Sequence, residues 1–203
     1  MPKIESVQVA VARVPLDRPT SFSTRTVHER HYGLVKVRSS DGVEGIGFCY
    51  VGSKGGDVCR VAVEQLFAPL LIGQDSLRSE GLWSEMYQEA LLQGRSGAVM
   101  RGLSILDTAI WDLNARSARL PLHDYLGCMN REKVIAYASG GYYLDGKTPA
   151  DLGREMAGYV DMGFTAVKMR RWRRVALMAS PSSRPAAAIT QPSRPRSMPC
   201  QAA

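Results

Sequence analysis

His28-Glu29-Arg30-His31 brings together two imidazoles and a carboxylate, the donor types of a transition-metal site. The spacing is not the H-E-x-x-H of a helical zinc site, and the run leads into a strand, where residues three apart point to opposite faces. It therefore reads as strand, not as a ligand set. Gly52-Ser53-Lys54-Gly55-Gly56 has the glycines of a phosphate cradle but not its Gly-Lys-Ser/Thr ending, so it reads as a flexible loop. Asp107 and Asp112 flank Trp111 and offer a carboxylate pair for acid–base work, yet all three sit on a helix whose apolar face belongs to a core. Arg170 to Ala203 holds seven arginines and no Lys, Asp or Glu, and with Trp172 it could contact phosphates. Without a folded face or interleaved aromatics, the expectation is salt-sensitive adhesion and no specific nucleic-acid partner.

Composition places these residues in a soluble globular chain: 203 residues, 45% hydrophobic and 22% charged. The net charge of +7 is local, because Met1 to Met169 carries 19 basic and 19 acidic residues and the whole excess lies beyond. Four cysteines, Cys49, Cys59, Cys128 and Cys200, have neither C-x-x-C spacing nor the density of a disulfide scaffold. The N-terminus lacks a signal-peptide pattern and no apolar run approaches a membrane span, so the expected location is cytoplasmic, away from membranes.

The first fifty residues read as three antiparallel strands. Val7, Val9 and Val11 alternate, as do Val35 and Val37, and Asp41-Gly42 is a hairpin turn leading to Val43, Ile46 and Phe48. Residues 15–26 and 50–57 read as exposed loops. The period then changes to that of three helices, with faces Val58-Val61-Ala62-Gln65-Leu66, Leu82-Trp83-Met86-Tyr87-Ala90-Leu91 and Val99-Leu103-Leu106-Ile110-Leu113. From Lys133 the pattern becomes β-α-β. VIAYAS is a buried strand, Thr148-Pro149 with Asp151 starts a helix through a capping box, Gly163 ends it, and FTAVKM is the next, parallel strand. The last 34 residues show neither period and read as disordered or as the product of a shifted reading frame.

The run RGLSILDTAIWDLNARSARLPLHDYLG, residues 101–127, resembles the signature of the enolase superfamily in its mandelate racemase and muconate-lactonising branch. Asp107, Ala109, Trp111, Asp112 and Leu113, the Leu120-Pro121-Leu122 corner and Leu126-Gly127 carry the match. VPLDRPTSFS, DGVEGIGFCY and GFTAVKM fall in the family's order, so the resemblance covers about 169 residues. It implies an α+β N-terminal capping domain, a three-stranded antiparallel sheet plus helices, over residues 1–125. The first β-α-β of an incomplete (β/α) TIM-type barrel follows over 126–169, and a disordered basic tail over 170–203. Asp107, Trp111 and Asp112 are then expected to fix the cap against the barrel.

The family's shared step, by this resemblance, is proton abstraction next to a carboxylate, with Mg²⁺ stabilising the enediolate. It leads to a racemase, an acid-sugar dehydratase (a lyase) or a cycloisomerase. Its K-x-K motif on the second barrel strand reads here Lys168-Met169-Arg170, so Lys168 matches the first lysine and Arg170 stands where the base is expected. A guanidinium with a pKa above about 12 is a poor base at neutral pH. The loops matching residues 19–24 and 50–56 close over the substrate in the family, which makes Phe22, Ser23 and Tyr50 candidates for substrate contacts. Lys133 to Ala203 is 203 − 133 + 1 = 71 residues, against about 250 for a full barrel. The expectation is an N-terminal fragment of a Mg²⁺-dependent enzyme acting on carboxylate or acid-sugar substrates, unable to bind the metal alone and inactive on its own. The alternative is a non-catalytic cap module that pairs, or self-associates, through its open strand edge.

Overall fold

Valines at alternate positions set the register of a three-stranded sheet. β1 (Ile4–Phe22) and β2 (Arg25–Ser39) run antiparallel with Val7 opposite Val37 and Val9 opposite Val35. β3 (Glu44–Tyr50) adds to the far side of β2, with Gly45 opposite Val37 and Gly47 opposite Val35. This is a computed structural model, and it describes residues 3–22, 25–127, 134–142, 144 and 146–169. The tail 170–203, expected to be disordered, lies outside the described residues.

One face of the sheet carries Val35 and Val37 into the core, where helices cover them. The order is α1 (Gly56–Val61), a π-helical turn (Ala62–Phe67), α2 (Ala68–Leu71), α3 (Ser79–Glu89), a 3₁₀ turn (Ala90–Leu92), α4 (Gly97–Ser117) and the short α5 (Leu122–Tyr125). The stripe Leu103, Leu106, Ile110 and Leu113 of α4 is fully buried, as its spacing predicts. So are Leu82 and Met86 of α3. α4 lies directly on the glycines of β3. A Cβ at Gly45 would fall 2.7 Å from Leu113 Cα, and one at Gly47 would fall 3.1 Å from Ala109 N, with Ala109 O and Ile105 O closer still. Backbone meets backbone, which only glycine permits. Ile46 and Phe48, the expected strand signal, consequently point to the open face and are 54% and 67% exposed.

Three expectations are corrected here. Residues 15–22 and 25–26 are not loop: the ladder resumes beyond Pro15, with Thr20 opposite Val27 and Phe22 opposite Arg25. The first helix buries Cys59, Val63 and Phe67; of the expected face Ala62 is buried with them, while Val58 and Val61 are exposed. Val58, Val61, Leu66 and Val99 line an open groove of about 390 Å³. Two apolar stripes compete on that segment, and the one ending in Phe67 meets the sheet and α4. VIAYAS forms a strand only at β4 (Ala138–Gly140), while Val134 and Ile135 are 90% and 89% exposed.

β4 pairs in parallel with β5 (Val167–Met169), Ser139 opposite Lys168, across α6 (Pro149–Asp161). The capping box is present: Thr148 Oγ1 accepts from Asp151 N, and the Asp151 carboxylate accepts from Thr148 N at 2.8 Å. The α+β cap followed by the start of a parallel barrel is thus the architecture of the described residues. No helix among them is long and apolar enough to cross a membrane.

Candidate functional site

Two prolines open the site. Between the pairs Pro15↔Glu29 and Thr20↔Val27, β1 advances five residues while β2 advances two, so Leu16 to Pro19 bulge out of the ladder. Pro15 and Pro19 have no N–H to donate, which makes this stretch of the strand the place where pairing breaks. Leu16, Asp17, Arg18 and Thr20 form one wall of a cleft of about 770 Å³. Tyr142, Leu144, Gly146 and Lys147, from the loop after β4, and Asp151 and Glu155, from the first turns of α6, form the other. The cleft lies at the C-terminal end of β4, the end of a parallel barrel strand where ligands collect.

That second wall is a closed polar network. Glu155 accepts from Gly141 N at 3.0 Å and from Tyr159 Oη at 3.1 Å, and it pairs with Lys147 Nζ. The Gly141 amide first, then Lys147, hold the Glu155 carboxyl below its ordinary range. Burial, then the Glu155 hydrogen bond and charge, push the Tyr159 phenol up. Lys147 also donates to Tyr142 O at 3.2 Å. Asp151 sits at about 2, held down by the Thr148 hydroxyl first, then the Thr148 amide and Arg154. These charges are committed to one another. Arg18, exposed on the bulge, makes no ion pair among the described residues, so its guanidinium is the cation free to take a carboxylate in bidentate fashion.

The other candidates are spread around this cleft. Phe22 is two residues beyond Thr20 in the same strand, its backbone paired with Arg25. Ser23 and Arg170 lie outside the described residues. Tyr50 ends β3 opposite Tyr32, ring centroids 5.8 Å apart, and its carbonyl accepts from Arg101; it does not line the cleft. Nor does Lys168, which is exposed on β5. His28 is exposed and His31 buried, on opposite faces as their spacing requires. Asp112 has a structural task within the cap: its Oδ2 accepts from Ile46 N and from Arg116 Nε, both at 2.8 Å, closing the free edge of β3. The Cys59 thiol is pushed up to about 12 by burial, and burial also raises Cys49, which makes both weak nucleophiles. The residues that sequence reasoning missed are Asp17, Arg18, Thr20 and Lys147. Proline on both sides of Leu-Asp-Arg was the available signal for the bulge.

Residues 4–127 match the N-terminal domain of the mandelate racemase / muconate lactonizing enzyme family. The chain belongs to this family. It is 37% identical over 145 residues to the arabinonate dehydratase of Saccharolobus solfataricus, covering 70% of this chain and 38% of that one. Over 169 residues it is 30% identical to the 3,6-anhydro-alpha-L-galactonate cycloisomerase of Streptomyces coelicolor, covering 82% of this chain and 46% of the relative. A racemase from Streptomyces coelicolor A3(2), solved with bound magnesium, superposes with a TM-score of 0.76 at 31% identity, covering 84% of this chain and 47% of that chain. The chain thus spans less than half the length of the relatives it matches. Among the described residues no three His, Cys, Asp or Glu side chains converge as a metal set. The described residues thus offer no ligand set for a magnesium ion such as the one bound in that racemase.

Proposed function

We propose that this chain is the cap, residues 1–125, and the first barrel unit, 126–169, of a magnesium-dependent acid-sugar dehydratase or racemase of the cytoplasm. In this reading it supplies both of these walls of the substrate cleft and does not turn over substrate alone. The carrying observation is the proline-flanked bulge that sets the exposed Arg18, which forms no ion pair among the described residues, across from the Lys147–Glu155 wall. Arg18 takes a substrate carboxylate, while Asp17 and Thr20 offer hydrogen bonds to its hydroxyls. Lys168, and Arg170 two residues on, stand at the family's lysine positions, but no carboxylate set for the metal accompanies Lys168 among the described residues.

Purified chain with Mg²⁺ and galactarate, glucarate or arabinonate in D₂O should exchange no proton at the carbon next to the carboxylate. Saturation-transfer NMR should detect weak galactarate binding that Arg18→Ala abolishes. Exchange would overturn inactivity; binding unaffected by Arg18→Ala would overturn the role of the cleft.

A second reading, self-association through the strand edge, is favoured by the two three-residue strands β4 and β5 and by the exposure of Val134, Ile135 and Met169 beside them. Sedimentation that stays monomeric at all concentrations removes it.

A further inference from the structure

A second cavity, of about 230 Å³, lies in the cap and is lined by Glu80, Trp83, Asp107 and Trp111. α3 supplies Glu80 and Trp83, three residues apart, and α4 supplies Asp107 and Trp111, four apart, so each helix turns one carboxylate and one indole to the same side. The rings are held: Trp83 stacks on Tyr87 at 5.0 Å and 9°, and Trp111 packs against Tyr125 at 6.0 Å and 65°. Asp107 is half-buried: burial first raises its carboxyl pKa, the Trp111 indole beside it works in the opposite direction, and the nearby Glu80 charge raises it further. Neither Glu80 nor Asp107 pairs with a Lys or Arg among the described residues.

Two carboxylates near each other, one of them partly desolvated, are an arrangement that a cation stabilises. The indole faces beside them attract positive charge as well. A hard metal ion would need oxygen ligands that two tryptophans do not supply. An ammonium holds its water tightly, whereas a guanidinium is weakly hydrated, stacks on aromatic faces and forks to carboxylates. We propose that this cavity binds a guanidinium group, stacked between Trp83 and Trp111 and paired with Glu80 and Asp107. The group belongs either to an arginine side chain of a protein segment or to a small free guanidine. This site is separate from the acid-sugar cleft and does not depend on that assignment.

The test uses the full chain and its indole N–H NMR signals, assigned with Trp83→Phe and Trp111→Phe. N-acetyl-arginine amide should shift both signals and saturate in roughly the millimolar range, the range of isolated cation–π and exposed ion pairs. N-acetyl-citrulline amide, the neutral isostere, should bind about tenfold more weakly or not at all. Asp107→Asn, which keeps an acceptor for Trp111, and the surface change Glu80→Gln should each weaken binding on the order of fivefold. Ethylguanidine, a monocation like the amide, binding at least about tenfold tighter than the amide assigns a free guanidine; equal affinity assigns a side chain. Equal shifts with citrulline, or none with the arginine amide, would overturn the site, and Glu80→Gln keeps the test open should Asp107→Asn unfold.

Discussion

Replacing Gly45 with alanine puts a methyl group 2.7 Å from Leu113 Cα, where ordinary contact begins near 3.4 Å. The gap must open by at least 3.4 − 2.7 = 0.7 Å, and closer atoms, Ala109 O and Leu113 N, demand more. The obstacle is the backbone of a 21-residue helix, so no side chain can rotate away. Overpacking a core typically costs about 1–3 kcal/mol, and a backbone obstacle places Gly45→Ala at about 3 kcal/mol or above. With a urea slope of about 2 kcal/mol per molar, the unfolding midpoint should fall by roughly 1.5 M. Gly81→Ala is the control in the same cap: its Cβ meets only the Arg78 side chain, no nearer than 3.4 Å, which is ordinary contact. Being helical, it should gain about 0.5–1 kcal/mol. Urea titration followed by far-ultraviolet circular dichroism measures both. If Gly45→Ala unfolds at the wild-type midpoint, α4 does not rest on the β3 backbone and the account of the Glu-Gly-Ile-Gly-Phe motif is wrong.

Asp112→Ala removes the acceptor of Ile46 N and the partner of Arg116; it should destabilise the cap by about 1.5 kcal/mol and speed amide exchange at Ile46, with Asp112→Asn recovering part of both. Unchanged exchange at Ile46 would show that Asp112 does not close the β3 edge. Asp151 should titrate at about 2, below its ordinary 3.8. Because the folded value is the lower one, the capping-box contribution to α6 is fully present above pH 4 or so and fades as pH falls toward 2. A carboxyl titration of Asp151 by NMR checks this, and Thr148→Ala should return the midpoint toward 3.8; an ordinary midpoint in the intact chain would contradict the cap.

Elements whose partners are local were legible. The α4 stripe from Leu103 to Leu113, the Thr148–Asp151 box and the Asp41-Gly42 turn each depend on residues within a few positions of one another. The hairpin beyond Pro15 was not, because its prolines and hydroxyls have loop composition and only the facing strand, Val27 opposite Thr20, makes them a ladder. The prolines flanking Leu-Asp-Arg mark where the bulge that holds Asp17 and Arg18 can form, but its size is a difference between two strands that β1 alone does not specify. Lys147 was hidden for a similar reason, since its partner Glu155 and the Tyr142 carbonyl meet it only when the loop folds back on α6.

The order of strands and helices, the family and the balance of charge before Arg170 were determined by the sequence itself, through periodicity and motif spacing. Which stripe of the first helix is buried was decided in three dimensions. Val58 and Cys59 both head apolar rows, and contact with the sheet and α4 buried the row of Cys59. The same holds for VIAYAS. A strand exists where a neighbour accepts its hydrogen bonds, and β5 reaches only as far as Ala138 to Gly140.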